Sequence, residues 1–225
     1  MHGTTKVEKA GNILFGLGAD SPAMSFPKDL LVETKKDLEK VHANIPNRPA
    51  MHVIGYWDNE PAGVKANTLL GKEKYDDLIQ AIEVTAPYLY PVPYQPVASV
   101  GEAVARAKAA GGGKKPVLPF LQTFVWDAKD RYPTPAELKC MVYLSLINGA
   151  NGYGYYAYGS VTGKPGTTID KEQPELWKAA CTINKEAALI AGFLADGTAE
   201  NSVSVADGGA DVKMKAVKGK AGGLI

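Results

Sequence analysis

Cysteine is scarce in this 225-residue chain, which holds only Cys140 and Cys181. Both fall in helix-like segments, so buried free thiols are expected rather than a disulfide or a metal pair. The three histidines, His2, His42 and His52, have no partner at ligand spacing, so neither a metal nor a cofactor is expected. Excess charge is missing too: 25 basic and 24 acidic residues give a net +1, with no basic block. That excludes a nucleic-acid surface and an anionic-membrane anchor. No apolar run approaches the about 20 residues of a membrane span. A phosphate cradle is lacking, because Gly111-Gly112-Gly113-Lys114 follows a helix rather than joining strand to helix. There is no serine nucleophile elbow. The polar start, Met1 to Lys9, has no secretion-signal core.

What the chain does have is an alternation of strand-like and helix-like segments at about 30 to 40 residues per unit. Asn12–Gly18 reads as a strand. A helix opens at Phe26-Pro27 with Leu30, Leu31, Thr34, Leu38 and Val41 on one face. The next strand starts at His52 and stops at Pro61. A helix over 72–84 follows, then the aromatic, proline-rich Pro87–Tyr94, read as a short strand ending in a loop. Ser99 and Glu102 form a capping-box pattern for a helix to Ala110. Lys115–Trp126 is the next strand, and Thr134/Glu137 cap an apolar helix that Asn148-Gly149 stops. A strand over Asn151–Tyr158 and a helix from Pro174 to Leu194 complete the series.

Five strands in βαβ order imply a parallel sheet, and a closed barrel usually takes about 250 residues. The chain is therefore expected to be either an incomplete TIM-barrel-like domain of five or six βα units or an open sheet. After Gly197 short alternating segments around Asp207-Gly208-Gly209 read as antiparallel. The expected domains are 1–196 and the start of a β-domain over 197–225. The chain opens almost directly into a strand and closes on Gly222-Gly223-Leu224-Ile225, so a fragment is expected. A barrel short of strands can borrow them from a second copy, so self-association is a further expectation.

The most informative stretch is Asp58-Asn59-Glu60-Pro61, at the carboxyl end of the second strand. Asp58 and Glu60 share one face, with Cα atoms about 6.5 to 7 Å apart. In parallel α/β folds ligands bind at this end of the strands. Crowding two carboxyl groups raises the pKa of one, which suits a general acid. The competing reading is a structural Asp-Asn-Glu cap.

These residues resemble the fourth-strand Asn-Glu-Pro of the TIM-barrel glycoside hydrolases that include cellulases and β-galactosidases. The later segments, Lys115–Trp126 and Pro133–Tyr158, are similar in order, and the resemblance covers roughly residues 10 to 195. It implies a carbohydrate substrate, Glu60 as acid/base, and Asn59 against a sugar hydroxyl. It also implies a secreted or periplasmic setting. The sequence departs from that group where a nucleophilic Glu ends the seventh strand, since the matching position is Gln122. An amide cannot serve as that nucleophile. Asp58-x-Glu60 is also similar to the Asp-x-Glu of chitinase-like barrels, where the substrate supplies the nucleophile, though the longer signature is absent.

Tyr88, Tyr90, Tyr94, Trp126, Tyr155, Tyr156 and Tyr158 fall at or near strand ends, where flat rings match the C–H faces of sugars. Alternation turns only about half of them inward. Tyr90, Gln122, Trp126, Tyr156 and Tyr158 are the candidate sugar contacts, beside catalytic Glu60 and Asp58. Asp127, Asp130 and Arg131 are read as a solvated loop. The alternative to hydrolysis is a non-catalytic carbohydrate-binding or structural barrel remnant.

Overall fold

The computed structural model describes residues 16–20, 29–55, 72–159, 166–199 and 214–219. Five strands pair in chain order, β1 (Gly16–Asp20), β2 (Ala50–Gly55), β3 (Val84–Tyr88), β4 (Phe120–Gln122) and β5 (Gly154–Tyr156). Helices alternate with them: α1 (Leu30–Asn44), α2 (Lys72–Ala81), α3 (Ser99–Ala110), α4 (Pro135–Ile147), α5 (Ile169–Glu172) and α6 (Pro174–Asp196). This is an incomplete (β/α) barrel of parallel strands. The chain divides into two compact units, Met1–Leu89 with Glu102–Phe120, and Tyr90–Gly101 with Leu121–Ile225.

In the first unit, β2 pairs in parallel with β1 and with β3, in register from Met51↔Val84 to Gly55↔Tyr88. Ala50, Met51, His52 and Ile54 are all buried, as expected of a strand covered on both faces. Ile54 packs with Tyr75, Leu78, Ile79 and Ile82 from the α2 region. His52 is fully buried with Nε2 3.2 Å from Asp37 Oδ2. Burial holds its pKa below the ordinary value, against the pull of Asp37.

Two expectations shift here. The helix expected over 72–84 ends at Ala81, and the strand begins at Val84 rather than Pro87. Lys115 explains the early stop, because its Nζ donates to the carbonyls of Ile79 (3.0 Å), Gln80 and Ile82 (2.6 Å). Those are the carbonyls a helix end leaves without partners. Val84 and Thr85, both β-branched, then enter the strand. The long strand expected over Lys115–Trp126 contracts to Phe120–Gln122, with an isolated bridge from Val117 to Thr85. Pro116 and Pro119 carry no donor, so pairing there is reduced to two bonds around Val117, from Thr85 N–H to the Pro116 carbonyl and from Leu118 N–H to the Thr85 carbonyl.

In the second unit, α4 buries Leu138, Met141, Val142 and Leu146 against Leu121, Ile169, Leu176 and Ile183. The Thr134/Glu137 capping box forms as expected. Asn148 and Gly149 stop α4, and Gly149 takes a φ of 94°, which a side chain rarely tolerates. Gly197 ends α6, where a Cβ would lie 2.3 Å from Val217 Cγ1. Beyond it β6 (Thr198–Ala199) pairs antiparallel with β7 (Val217–Lys218). The Asp207-Gly208-Gly209 turn lies outside the described residues, as do Asn12 and Phe26-Pro27. Both cysteines are free, but Cys140 is exposed rather than buried, on the outer face of α4. No helix among the described residues is long and apolar enough to cross a membrane.

Candidate functional site: a ring platform beyond the strand ends

Four aromatic side chains of the second unit meet in one cluster. Tyr90 follows β3, Phe124 and Trp126 follow β4, and Tyr156 ends β5. Tyr90 and Tyr156 stack, with centroids 5.7 Å apart and planes at 18°. Phe124 meets the edges of Tyr90 (5.0 Å), Trp126 (5.1 Å) and Tyr156 (5.5 Å). Trp126 lies 5.8 Å from Tyr90, and its indole N–H donates to the Tyr90 carbonyl at 3.3 Å. Edge-to-face and offset contacts of this kind contribute about 0.5–1.5 kcal/mol per pair beyond area burial. Trp126 and Tyr156 are nonetheless 51% and 52% exposed. The cluster therefore offers two open rings fixed on two half-buried ones.

The loops around it are tied down. Gln122 is fully buried, and its amide is engaged on both sides. Its Oε1 accepts from Val92 N–H (2.9 Å), and its Nε2 donates to the carbonyls of Val92 (2.8 Å) and Phe124 (3.1 Å). It thus clamps the loop after β3 to the chain after β4 and has no solvent face for a ligand. Tyr94 donates to Asp130 Oδ1 at 2.7 Å, which raises the pKa of the phenol. Asp130 also accepts from Asp127 N–H at 3.1 Å. Arg131 reaches both oxygens of Glu137 at 2.7 Å. The segment read as a solvated loop is therefore exposed yet pinned at both ends, with Asp127 accepting from Lys129 N–H at 3.3 Å.

Alternation splits the β5 tyrosines. Tyr153 and Tyr155 turn to α6 and donate to Asn184 Oδ1 at 2.9 and 3.0 Å, while Tyr156 joins the platform. Burial pushes the Tyr155 phenol far above its ordinary value. Tyr158 parts from Tyr156 and meets Trp177 instead, at 5.5 Å. Phe124 was missed by sequence reasoning, although Phe124-Val125-Trp126 alternates two rings onto one side. Trp177 was missed because a helix position carries no strand-end signal. Asp58, Asn59 and Glu60 follow β2 but lie outside the described residues. Among the described residues no three side chains cluster as metal ligands.

No protein-family model and no curated protein matches the sequence. Solved structures do. A β-galactosidase from Bacillus circulans sp. alkalophilus superposes with a TM-score of 0.57 at 15% identity, over 76% of this chain and 25% of the other. Bee venom hyaluronidase gives 0.45 at 16% identity, over 74% and 54%. An endo-β-1,4-mannanase from Thermotoga petrophila gives 0.42 at 15%, over 76% and 43%. The chain thus spans a quarter of the β-galactosidase and about half of the hyaluronidase. At such identities the likeness concerns the backbone, and the superposition on the β-galactosidase shows a shared fold alone.

Proposed function

We propose that this chain handles carbohydrate as part of a glycoside-hydrolase-like barrel, holding a sugar ring on Trp126 and Tyr156. The observation that carries the proposal is the four-ring cluster of Tyr90, Phe124, Trp126 and Tyr156 just past the strand ends. That is where barrel enzymes build their sites. Two large rings held half open in one cluster form an apolar patch of the kind that marks ligand sites. A pyranose suits the platform, with its C–H face on the ring and its hydroxyls in water.

Glu60 is the proposed proton donor to the glycosidic oxygen as its bond to the anomeric carbon breaks, and the water that then adds to that carbon returns a proton to the Glu60 carboxylate. Asn59 is assigned to an adjacent sugar hydroxyl. Asp58 sits two residues before Glu60 in the sequence and is assigned to supporting the reacting centre, either directly or through a substrate group. The test is release of aryl alcohol from a panel of aryl glycosides by the parent chain and by Glu60→Gln. Cleavage by the parent, with a loss of at least about a hundredfold in the variant, supports the assignment. Equal rates overturn it.

A second reading, sugar binding without cleavage, has its own support. Gln122 stands where the resembled enzymes carry a nucleophilic carboxylate, and it is committed to the Val92 main chain. Binding of oligosaccharide with no turnover on any glycoside selects this reading.

A further inference from the structure

We infer that Tyr158, Trp177 and Asp170 form a second sugar-binding position, separate from the four-ring platform. It rests on the carbohydrate reading of the chain but not on any ring of that platform. Tyr158 and Trp177 meet at 5.5 Å with planes at 63°, one as a floor and the other as a wall. They are 54% and 38% exposed. Trp126 and Tyr156 make their ring contacts with Tyr90 and Phe124, whereas Tyr158 meets Trp177.

The shelf is fixed from both sides. The Tyr158 carbonyl accepts from Ile169 N–H at 2.9 Å, and Gly159 bridges Thr168. Ile169 is itself in the core, so this strip of backbone cannot swing freely. Trp177 stands in the first turns of α6 beside buried Leu176. The Tyr158 hydroxyl meets the Asp170 carboxylate, which raises the pKa of the phenol. A rigid ring pair spends little ordering entropy when a ligand docks.

The chemistry selects the ligand. Tyr158 and Trp177 offer apolar faces for sugar C–H groups, and the Asp170 oxygen other than buried Oδ1 is an acceptor for sugar hydroxyls. Size argues against a protein partner. Two half-open rings present on the order of 200 Å², well short of the about 800 Å² per partner of a stable protein interface. The next open apolar side chain along α6, Leu189, lies twelve residues further on, about 18 Å away along the helix. The position fits one neutral pyranose unit.

The test follows the indole N–H signals of the three tryptophans in ¹⁵N-labelled protein, assigned with single Trp→Phe variants. The probes are cellohexaose, mannohexaose and xylohexaose. The expected result is a saturable shift of the Trp177 signal with at least one probe. Tyr158→Ala should then weaken the affinity read at Trp177 about tenfold and leave the Trp126 response unchanged. A moving Trp126 with a silent Trp177 overturns this inference and leaves the platform reading standing. A moving Trp177 with a silent Trp126 does the reverse. Silence at both, or a Trp177 response indifferent to Tyr158→Ala, also overturns it.

Discussion

Gln122 occupies a place where the sequence suggests a sugar contact and the structure supplies a mechanical role. Its amide matches a donor and two acceptors of the main chain, a pattern no carboxylate can copy. Gln122→Leu leaves those buried groups unpaired and should cost about 2–3 kcal/mol in urea denaturation. Gln122→Glu is more telling. An ionised carboxylate there faces the carbonyls of Val92 and Phe124, whereas the protonated acid can donate to one of them. Burial and those carbonyls raise the folded-state pKa, so the variant should be closest to the parent at about pH 4 and fall behind as pH rises towards 7. No activity gain is expected. Equal stability of the variant and parent at pH 7 contradicts the clamp.

Glu137 works with the opposite sign. The Arg131 guanidinium, with the Thr134 N–H, holds its pKa at about 2, below the ordinary 4.5. Its stabilisation is therefore complete above the unfolded value and drains away as pH falls from about 5 to 2. The pair is partly solvated, so the effect is about 1–2 kcal/mol rather than the full shift. Glu137→Gln should be less stable than the parent by that amount at pH 7. The gap should close near pH 2 to 3 in denaturation curves.

At the scale of elements, α4 was the most legible. Thr134, Pro135 and Glu137 mark its start, its apolar positions mark its face, and Asn148-Gly149 marks its end. Thr134→Ala removes the cap and should cost about 1 kcal/mol. Leu138→Ala, in the fully buried row, should cost about 3 kcal/mol. Both are read from thermal or urea unfolding. A loss from Thr134→Ala as large as that from Leu138→Ala contradicts this ranking. The strands were less legible. β3 begins three residues before Pro87 because Lys115, thirty-odd residues later, caps the preceding carbonyls. No local pattern announces a cap supplied from so far along the chain. β4 shrank because its prolines matter more to pairing than its apolar content does. Cys140 looked buried by residue type, yet α4 turns its outer face there.

At the scale of the whole molecule, regular alternation of strands and helices made the incomplete barrel readable, and the superposition on the β-galactosidase agrees with it. The ring platform was readable in part. Strand ends gather aromatic residues, which picked out Tyr90, Trp126 and Tyr156. Where regular pairing stops, strict alternation stops too, and Tyr158 turned to α6 although it lies two residues from Tyr156. The acidic residues after β2 are a matter for chemistry rather than geometry, through the Glu60→Gln comparison.

The ring platform itself is tested most directly by calorimetric titration of the parent chain and Trp126→Ala with neutral oligosaccharides. The expected result is saturable binding by the parent and a loss of about tenfold or more in the variant, with melting temperatures within a few degrees. Binding that is absent from the parent, or equal in the two, contradicts the claim that these open rings hold a sugar.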